Sequence, residues 1–433
     1  MKIEIMKYRQ DRDFAEQMDA LDPLASYRNK FYIPKTTFGQ ESIYFCGQSL
    51  GLQPVTVQDY IEQVLHSWRT LGFKGHFRGN SPWIFYSDSL KPKMARIVGA
   101  RESEVVIMNT LTVNLHLMMV SFYQPTPHKY KILVESQVFP SDRYAIKSQI
   151  QFHGYDPATT LLEIQPRKGE TCIRTEDIES LLDKEGASIA LVLLGGVNYL
   201  TGQFFEIKKI AERAHFHDCI VGLDLAHAVG NVPLALHDWN IDFAVWCNYK
   251  YMNAGPGAIA GCFVHEKYAE SFDLPRLAGW WGGDVKTRFL MGPDFQPALA
   301  GSGWQLSNPD ILSLASLAAS LDIFETAGIE RLRAKSKQLN SYLEFLLDRT
   351  SSERISLITP RDPEQRGCQL SFSIKDSDTS VLEQLNECGV FCDWREPDVI
   401  RVAPVPLFNT YTEVFDFVAI LNNILVGYYT SPK

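Results

Sequence analysis

A long apolar run is missing from this chain. Its longest, Ile189–Val197, contains Gly195 and Gly196 and is too short to cross a bilayer. From Met1 to Pro23 a charge recurs every few positions, without the uninterrupted apolar core of a signal peptide. Positive charge is not in excess either. The 42 Lys and Arg against 51 Asp and Glu give a net charge of −9, which offers no electrostatic footprint for nucleic acid or an anionic membrane. Internal repeats, low-complexity tracts and CxxC pairs are absent. Cys388 and Cys392 are four apart with no histidine nearby to complete a metal site. The eight cysteines therefore read as buried or incidental thiols. These absences predict a cytosolic (cytoplasmic) protein without a metal centre.

What remains is ordinary globular material: 433 residues, 45% hydrophobic and 21% charged, enough for two or three domains or for one large α/β domain with a satellite. Five short apolar runs read as buried strands: Val105–Met108, Ile132–Glu135, Ala190–Leu194, Ile220–Asp224 and Phe243–Trp246. Helical patterns such as Thr175–Lys184 and Ile207–His217 lie between them. This alternation predicts an α/β fold with a mostly parallel central sheet flanked by helices. Ligands of such sheets collect at the carboxyl ends of the strands. A long helix is expected after Asn308–Pro309–Asp310, and a second over about Arg331 to Arg349. Strand patterns at Gln369–Ile374 and Ile400–Val402, with a helix at Val381–Cys388, then indicate a smaller α+β domain. The expected partition is a large domain over 71–326, a small domain over 327–433, and residues 1–70 packing with the small one.

The sharpest chemical signal is GLDLAHAVGN, Gly222–Asn231, followed by CNYKYMNAGPG, Cys247–Gly257. Asp224 ends one strand. Lys250 follows another and precedes a glycine-rich turn. Their separation of 250 − 224 = 26 residues accommodates one helix and one strand, so both side chains can meet at one sheet edge. Such a pair suits pyridoxal phosphate. The cofactor stores electrons only while its pyridine nitrogen is protonated, and a carboxylate about 3 Å away favours that proton by roughly 5 kcal/mol at an effective dielectric near 20. A lysine binds the aldehyde until a substrate amine replaces it. Singly, such a lysine is usually a solvated surface residue and such an aspartate a cap; together with Tyr-Lys before Gly-Pro-Gly they are far more specific. NTLTVNLH, from Asn109, follows a strand and opens a helix, where Leu111 and Thr112 can hold a phosphate. In FPSD, Phe139 can stack on the pyridine ring and Asp142 can reach its polar edge.

Taken together, these segments resemble the kynureninases, fold-type-I pyridoxal-phosphate enzymes of the aminotransferase superfamily. The resemblance extends to YFCGQSLGLQP (Tyr44–Pro54), GWWGG (Gly279–Gly283), SNP (Ser307–Pro309), RGCQLSF (Arg366–Phe372) and IRVAPVPLFN (Ile400–Asn409). It implies a homodimer that hydrolyses kynurenine or 3-hydroxykynurenine to anthranilate or 3-hydroxyanthranilate plus L-alanine, in tryptophan degradation and NAD biosynthesis. By the same resemblance Lys250 carries the cofactor, Asp224 pairs with its ring nitrogen, and His227 lies beside it. Ser141 joins the cofactor-binding set. Tyr249 contacts the phosphate and shuttles protons. Trp280 and Asn308 reach the phosphate region from the neighbouring subunit. Arg401 corresponds to the family's carboxylate-binding arginine, a fork suited to a bidentate clamp. His76 and the pair Ser307–Asn308 match members that prefer 3-hydroxykynurenine. Two positions depart from the family: Gly195 stands where a hydroxyl residue is common, and Gly283 where eukaryotic members tend to carry histidine. A cysteine desulfurase or selenocysteine lyase is the alternative within the superfamily, but it needs a mobile reactive cysteine late in the chain. A catalytically inactive binding module is disfavoured by intact Lys250, Asp224 and Arg401.

Overall fold

The apolar runs in the middle of the chain become one sheet in the computed structural model, which describes residues 8–350 and 353–427. A short strand, β1 (Ile43–Tyr44), comes first. The central strands follow: β2 (Val105–Ile107), β3 (Lys131–Glu135), β4 (Leu161–Ile164), β5 (Ile189–Gly195), β6 (Ile220–Asp224), β7 (Phe243–Trp246) and β8 (Gly261–Val264). Their spatial order is β2-β8-β7-β6-β5-β3-β4. All neighbours from β4 to β7 run parallel, while β8 is antiparallel to both β2 and β7. Helices cover both faces, so β5 is a nearly unbroken apolar run and not an alternating one. Gly222 in β6 is a packing requirement, because a Cβ there would lie 2.2 Å from the Phe243 ring on the next strand. The chain leaves β3 for β4 on one side and returns to β5 on the other. That reversal opens a crevice at the carboxyl ends of β3 and β5.

Five further strands build the small domain: β9 (Ile355–Leu357), β10 (Leu370–Ile374), β11 (Val390–Phe391), β12 (Asp393–Arg395) and β13 (Val399–Val402). Four of them form an antiparallel sheet in the order β12-β13-β10-β9, and β11 pairs with β1. The long helix Ile311–Ala327 ends at Gly328, whose φ of +78° suits glycine, and the next helix, Ile329–Leu347, leaves at 79°. Among the described residues no single helix is long and apolar enough to cross a membrane.

Residues 8–70 divide between the two cores and do not pack with the small domain alone. Phe14, Ala15, Met18 and Phe45 join Leu343, Phe372, Ile400 and Phe417 in the small core. Leu24, Phe31, Leu52 and Val64 join the large core. The helix Val57–Leu71 packs on Ile311–Ala327, and its buried Val64 shares the large core with Leu314 and Leu321 of that helix. Elsewhere, buried Glu104 accepts from the Arg101 and Glu266 amides and contacts His237 Nδ1 at 2.9 Å. Buried polar groups need such partners.

The N-terminal helix Arg12–Ala20 is fastened to the C-terminal helix Tyr411–Leu425 through Asp19. Its carboxylate accepts the Tyr411 and Thr412 amides at 2.6 and 3.0 Å, as well as the Thr412 hydroxyl. It therefore satisfies first-turn N–H groups from a distant part of the chain. Asp19→Ala should lower stability by about 1–2 kcal/mol in denaturant titration. An unchanged midpoint and slope would mean that solvent replaces the carboxylate without cost.

Candidate active site

Three strand ends meet at the crevice. Gly195 of β5 lies directly opposite Asp224 of β6, and Asp224 lies opposite Val245 of β7. Asp224 Oδ1 accepts the Ala226 amide at 2.8 Å, which fixes the carboxyl at its strand end. Lys250 follows β7 on a turn whose backbone packs against residues 51–52. The Gly51 amide donates to the Tyr249 carbonyl at 2.8 Å, and a Cβ at Gly51 would lie 2.3 Å from the Lys250 carbonyl oxygen. Only glycine permits that approach. The lysine Nζ stands 5.9 Å from the Phe139 ring centre and 5.8 Å from that of Tyr249.

On the opposite wall the helix Leu111–Phe122 begins just after β2. Asn109 takes a left-handed turn, φ +50°, and donates its side-chain amide to Asn114 Oδ1 at 2.9 Å. Asn114 in turn donates to the Met108 carbonyl at 3.0 Å, so the strand-to-helix corner is pinned from inside. No side chain caps this helix, which leaves its first-turn N–H groups open to an anion. The Thr112 and Ser141 hydroxyls are 3.0 Å apart.

Nine of the expected residues line one cavity of about 140 Å³: Leu111, Thr112, Phe139, Ser141, Asp142, Asp224, His227, Tyr249 and Lys250. Glu135, Gly195, Val197, Tyr199 and Ala226 complete its wall. The other expected residues lie outside it. His76 is half-buried against Trp83, with rings 5.1 Å apart. Ser307 and Asn308 are exposed. Trp280 is 43% exposed and donates its indole N–H to the Arg288 carbonyl at 3.0 Å.

Burial governs the protonation of this cavity. His227 is held far below the usual imidazole range, first by burial and then by the charges of Lys250 and Arg401, so it stays neutral. Burial raises the Tyr249 hydroxyl, which stays protonated at neutral pH. It also raises the Asp142 carboxyl, with the Asp224 charge as the next cause.

Arg401 also lies outside the cavity lining and approaches it from the small domain. Its side chain is almost fully buried, and its Nε and Nη2 contact the Asp393 carboxylate at 3.0 and 2.8 Å. Asp393 is its cross-strand partner in the β12–β13 register. Nη1 donates to the carbonyl of the cavity residue Tyr199 at 2.6 Å. One edge of the guanidinium is thereby fixed, while the Nη1–Nη2 edge keeps N–H capacity.

Comparison with known proteins decides the family. The chain is 56% identical to the kynureninase of Koribacter versatilis over 94% of its length and 96% of the relative's. It is 51% identical to that of Myxococcus xanthus, covering 96% and 97%, and 49% identical to that of Nematostella vectensis, covering 95% and 93%. The kynureninase C-terminal domain matches residues 332–421.

The chain belongs to the kynureninase family.

It is a pyridoxal-phosphate enzyme of the carbon–carbon hydrolase class. The fold is also that of the apo cysteine desulfurase of Thermococcus onnurineus NA1, with a TM-score of 0.75 at 18% identity, over 89% of this chain and 95% of that one. A cystine C–S lyase gives a TM-score of 0.73 at 17% identity, over 88% and 97%. The kynureninase cavity suits the cofactor on its own evidence. It offers a lysine, an acid at a strand end, an uncapped helix start and a flanking aromatic ring. Two buried polar atoms on its lining residues, Asp142 Oδ1 and His227 Nδ1, have no partner within the protein.

Three residues of this site escaped the sequence reading. Glu135 ends β3 as Asp224 ends β6, so the rule that singled out polar residues at strand ends would have found it. Tyr199 and Asp393 gave no such signal, because their relation to the cavity and to Arg401 depends on the packing of two domains. The departure at Gly195 also acquires a physical setting. Its amide donates to Glu135, and a Cβ there would lie 2.9 Å from Glu135 Oε1. A Cβ at Gly283 would lie 3.3 Å from the Trp280 carbonyl, a tight fit.

Asp393→Ala should destabilise the kynureninase by about 3–5 kcal/mol, because it leaves the buried Arg401 charge without its partner. Calorimetry on the holoenzyme reads this directly. A loss below about 1 kcal/mol would show that the pair is solvated in solution.

Proposed function

We propose that this kynureninase hydrolyses 3-hydroxykynurenine in preference to kynurenine, releasing 3-hydroxyanthranilate and L-alanine, on a site completed by a second copy of the chain. Such a product places the reaction in tryptophan degradation toward NAD. The observation that carries the proposal is the position of His76, Ser307 and Asn308. They are polar groups outside the chain's own cavity, and His76 belongs to an exposed aromatic cluster. Its ring lies 6.1 Å from Phe77, Phe77 lies 6.3 Å from Phe289, and Phe289 lies 5.4 Å from Trp280. Phe73, Leu290 and Met291 are exposed nearby in sequence. Exposed apolar surface of this kind marks an interface. A homodimer covers it and brings Trp280, Asn308 and the substrate-selecting residues to the partner's cavity.

The roles follow from the chemistry of each position. Bound pyridoxal phosphate supplies an electron sink for the bond-breaking steps. Leu111 and Thr112, at the helix start, and Ser141 hold its phosphate. Asp224, with Asp142 beside it, would keep the ring nitrogen protonated, and Phe139 would flank the ring. His227, neutral and buried, would lie beside the cofactor. Lys250 would hold the cofactor in the resting enzyme, and its amine is the base that takes the substrate α-proton and returns it to Cα when alanine forms. Arg401 receives the α-carboxylate on its remaining N–H groups. Water adds to the γ-carbonyl and the Cβ–Cγ bond breaks. Cγ leaves as the aryl carboxylic acid, and Cβ takes a proton to give alanine. Tyr249, protonated at neutral pH, delivers that proton.

Imidazole, hydroxyl and amide groups hydrogen-bond an aryl 3-hydroxyl. A substrate lacking that hydroxyl strands them, at about 1–3 kcal/mol for each unpaired group. The kcat/KM for 3-hydroxykynurenine should therefore exceed that for kynurenine by at least about tenfold. The change His76→Trp, Ser307→Gly and Asn308→Thr should narrow or reverse the ratio. Equal values on both substrates in the unmodified enzyme would sink this preference and leave the family assignment standing.

Subunit mixing tests the shared site. Lys250→Ala and Trp280→Ala subunits, each impaired alone, should regain activity in heterodimers, where one of the two sites is intact. No recovery despite demonstrated subunit exchange would show that each site is built from a single chain.

A further inference from the structure

Three carboxyl side chains line the cavity that also holds Lys250: Glu135, Asp142 and Asp224. They come from the end of β3, from the first turn of the helix Pro140–Phe152, and from the end of β6. Lys250 is the only cationic side chain among the lining residues. Carboxylates confined together in a low-dielectric space do not ionise as independent groups. The roles proposed above use Asp142 and Asp224. Glu135 has no part in them, although it is 2% exposed and stands in the cavity wall.

Its setting is specific. Both carboxyl oxygens face one N–H, the Gly195 amide, at 3.1 and 3.3 Å. Gly195 is the register partner of Asp224, so the group that holds Glu135 lies directly across from the aspartate. A side chain at 195 would meet the carboxyl at its Cβ, 2.9 Å from Oε1. Glycine at this strand end is therefore what gives the carboxyl its place.

We propose that Glu135 is a positioning residue that sets the charge behind the cofactor: neutral in acid, ionised in base, and acting through Asp224 on the basic nitrogens of the lysine-linked cofactor. The inference rests on pyridoxal phosphate occupying this cavity and is independent of which kynurenine the enzyme prefers. Burial pushes the Glu135 carboxyl up to about 7, the Gly195 N–H pulls it down, and the Asp224 charge pushes it up again. Below that pH Glu135 carries its proton. Above it the proton goes to solvent, and the negative charge left behind strengthens proton binding at the cofactor's nitrogens.

The groups facing Glu135 come from every element around the cavity. Asp224 approaches from β6, Asp142 from its helix, and Lys250 and Tyr249 from the turn after β7. His227 lies on the loop after β6, with Arg401 and Arg395 beyond it. The Asn198 side chain, from the loop after β5, donates to the Gln137 carbonyl at 3.4 Å and favours the charged form of the carboxyl. Arg143, on the helix of Asp142, is engaged by Glu163 and the Ser136 carbonyl. His227 stays neutral and Tyr249 stays protonated around neutral pH. Asp142, whose carboxyl burial also raises, is the other acid in the cavity from which Glu135 must be told apart.

The test is a visible-absorption titration of the holoenzyme from about pH 6 to 9.5 for the unmodified protein, Glu135→Gln and Asp142→Asn. Glutamine keeps an acceptor for the Gly195 amide and cannot ionise. In Glu135→Gln the lysine-linked cofactor band should lose an inflection near 7. Its main midpoint should fall by at least about half a unit, about threefold in proton affinity. A merely structural role would leave both unchanged while the cofactor stays bound. Coincident curves for the unmodified protein and Glu135→Gln, or loss of the inflection in Asp142→Asn alone, would overturn the proposal. Should Glu135→Gln not retain cofactor, infrared difference spectra of unmodified holoenzyme with ¹³C-labelled glutamate decide the question. A labelled protonated-carboxyl band that disappears between pH 6 and 8 is expected, and its absence refutes the role. A protein that binds no pyridoxal phosphate at all would overturn the cofactor assignment itself, and this inference with it.

Discussion

Because β3, β5 and β6 run parallel at the point where the strand order reverses, Glu135, Gly195 and Asp224 finish at one edge of the sheet. The site depends on that arrangement. A shift of one residue would turn each of these positions to the opposite face of its strand. The carboxyl of Asp224 would then point into packed helices and away from the cavity. Its fixed partner, the Ala226 amide, and the glycine across from it both belong to this register.

The small domain adds to that edge through one buried ion pair. Arg401 and Asp393 face each other across β12 and β13, so the arginine is presented by a sheet with little freedom to relax. A buried pair of this kind brings little net stability, but it holds a planar fork in one orientation. Its positive charge is also felt by His227, where it adds to burial in keeping the imidazole neutral. The two domains are thus joined by electrostatics at the cavity as well as by apolar packing.

The same architecture serves enzymes that cleave carbon–sulfur bonds at 17–18% identity, so fold alone does not choose the reaction. The cysteines separate the two chemistries. Cys368 and Cys392 are buried, and burial pushes the Cys368 thiol up to about 11, away from the reactive thiolate. Cys388 closes the helix Ser380–Glu387 and is not carried on a mobile loop. What distinguishes a kynureninase here is a set of side chains on a shared scaffold.

Much of the site was legible in the sequence because it rests on local rules. Asp224 ends one apolar strand and Lys250 follows another, the helix at Leu111 comes shortly after a strand, and glycine and proline mark the turn after Lys250. The mostly parallel sheet followed from the alternation of strands and helices. Other features required distances that no local rule contains. Glu135 lies in one strand and its donor, Gly195, in another, 60 residues apart. Asp393 becomes the partner of Arg401 only through the antiparallel register of the small sheet. Residues 8–70 split between two cores because the apolar face of Val57–Leu71 fits a helix whose sequence lies near residue 320. By itself the sequence singled out nine residues that the structure gathers around one cavity, and the strand ends that present them, since periodicity and residue type encode both. The tertiary structure decided which charges share one buried space, because burial and Coulomb interaction depend on separation in three dimensions and not on position along the chain.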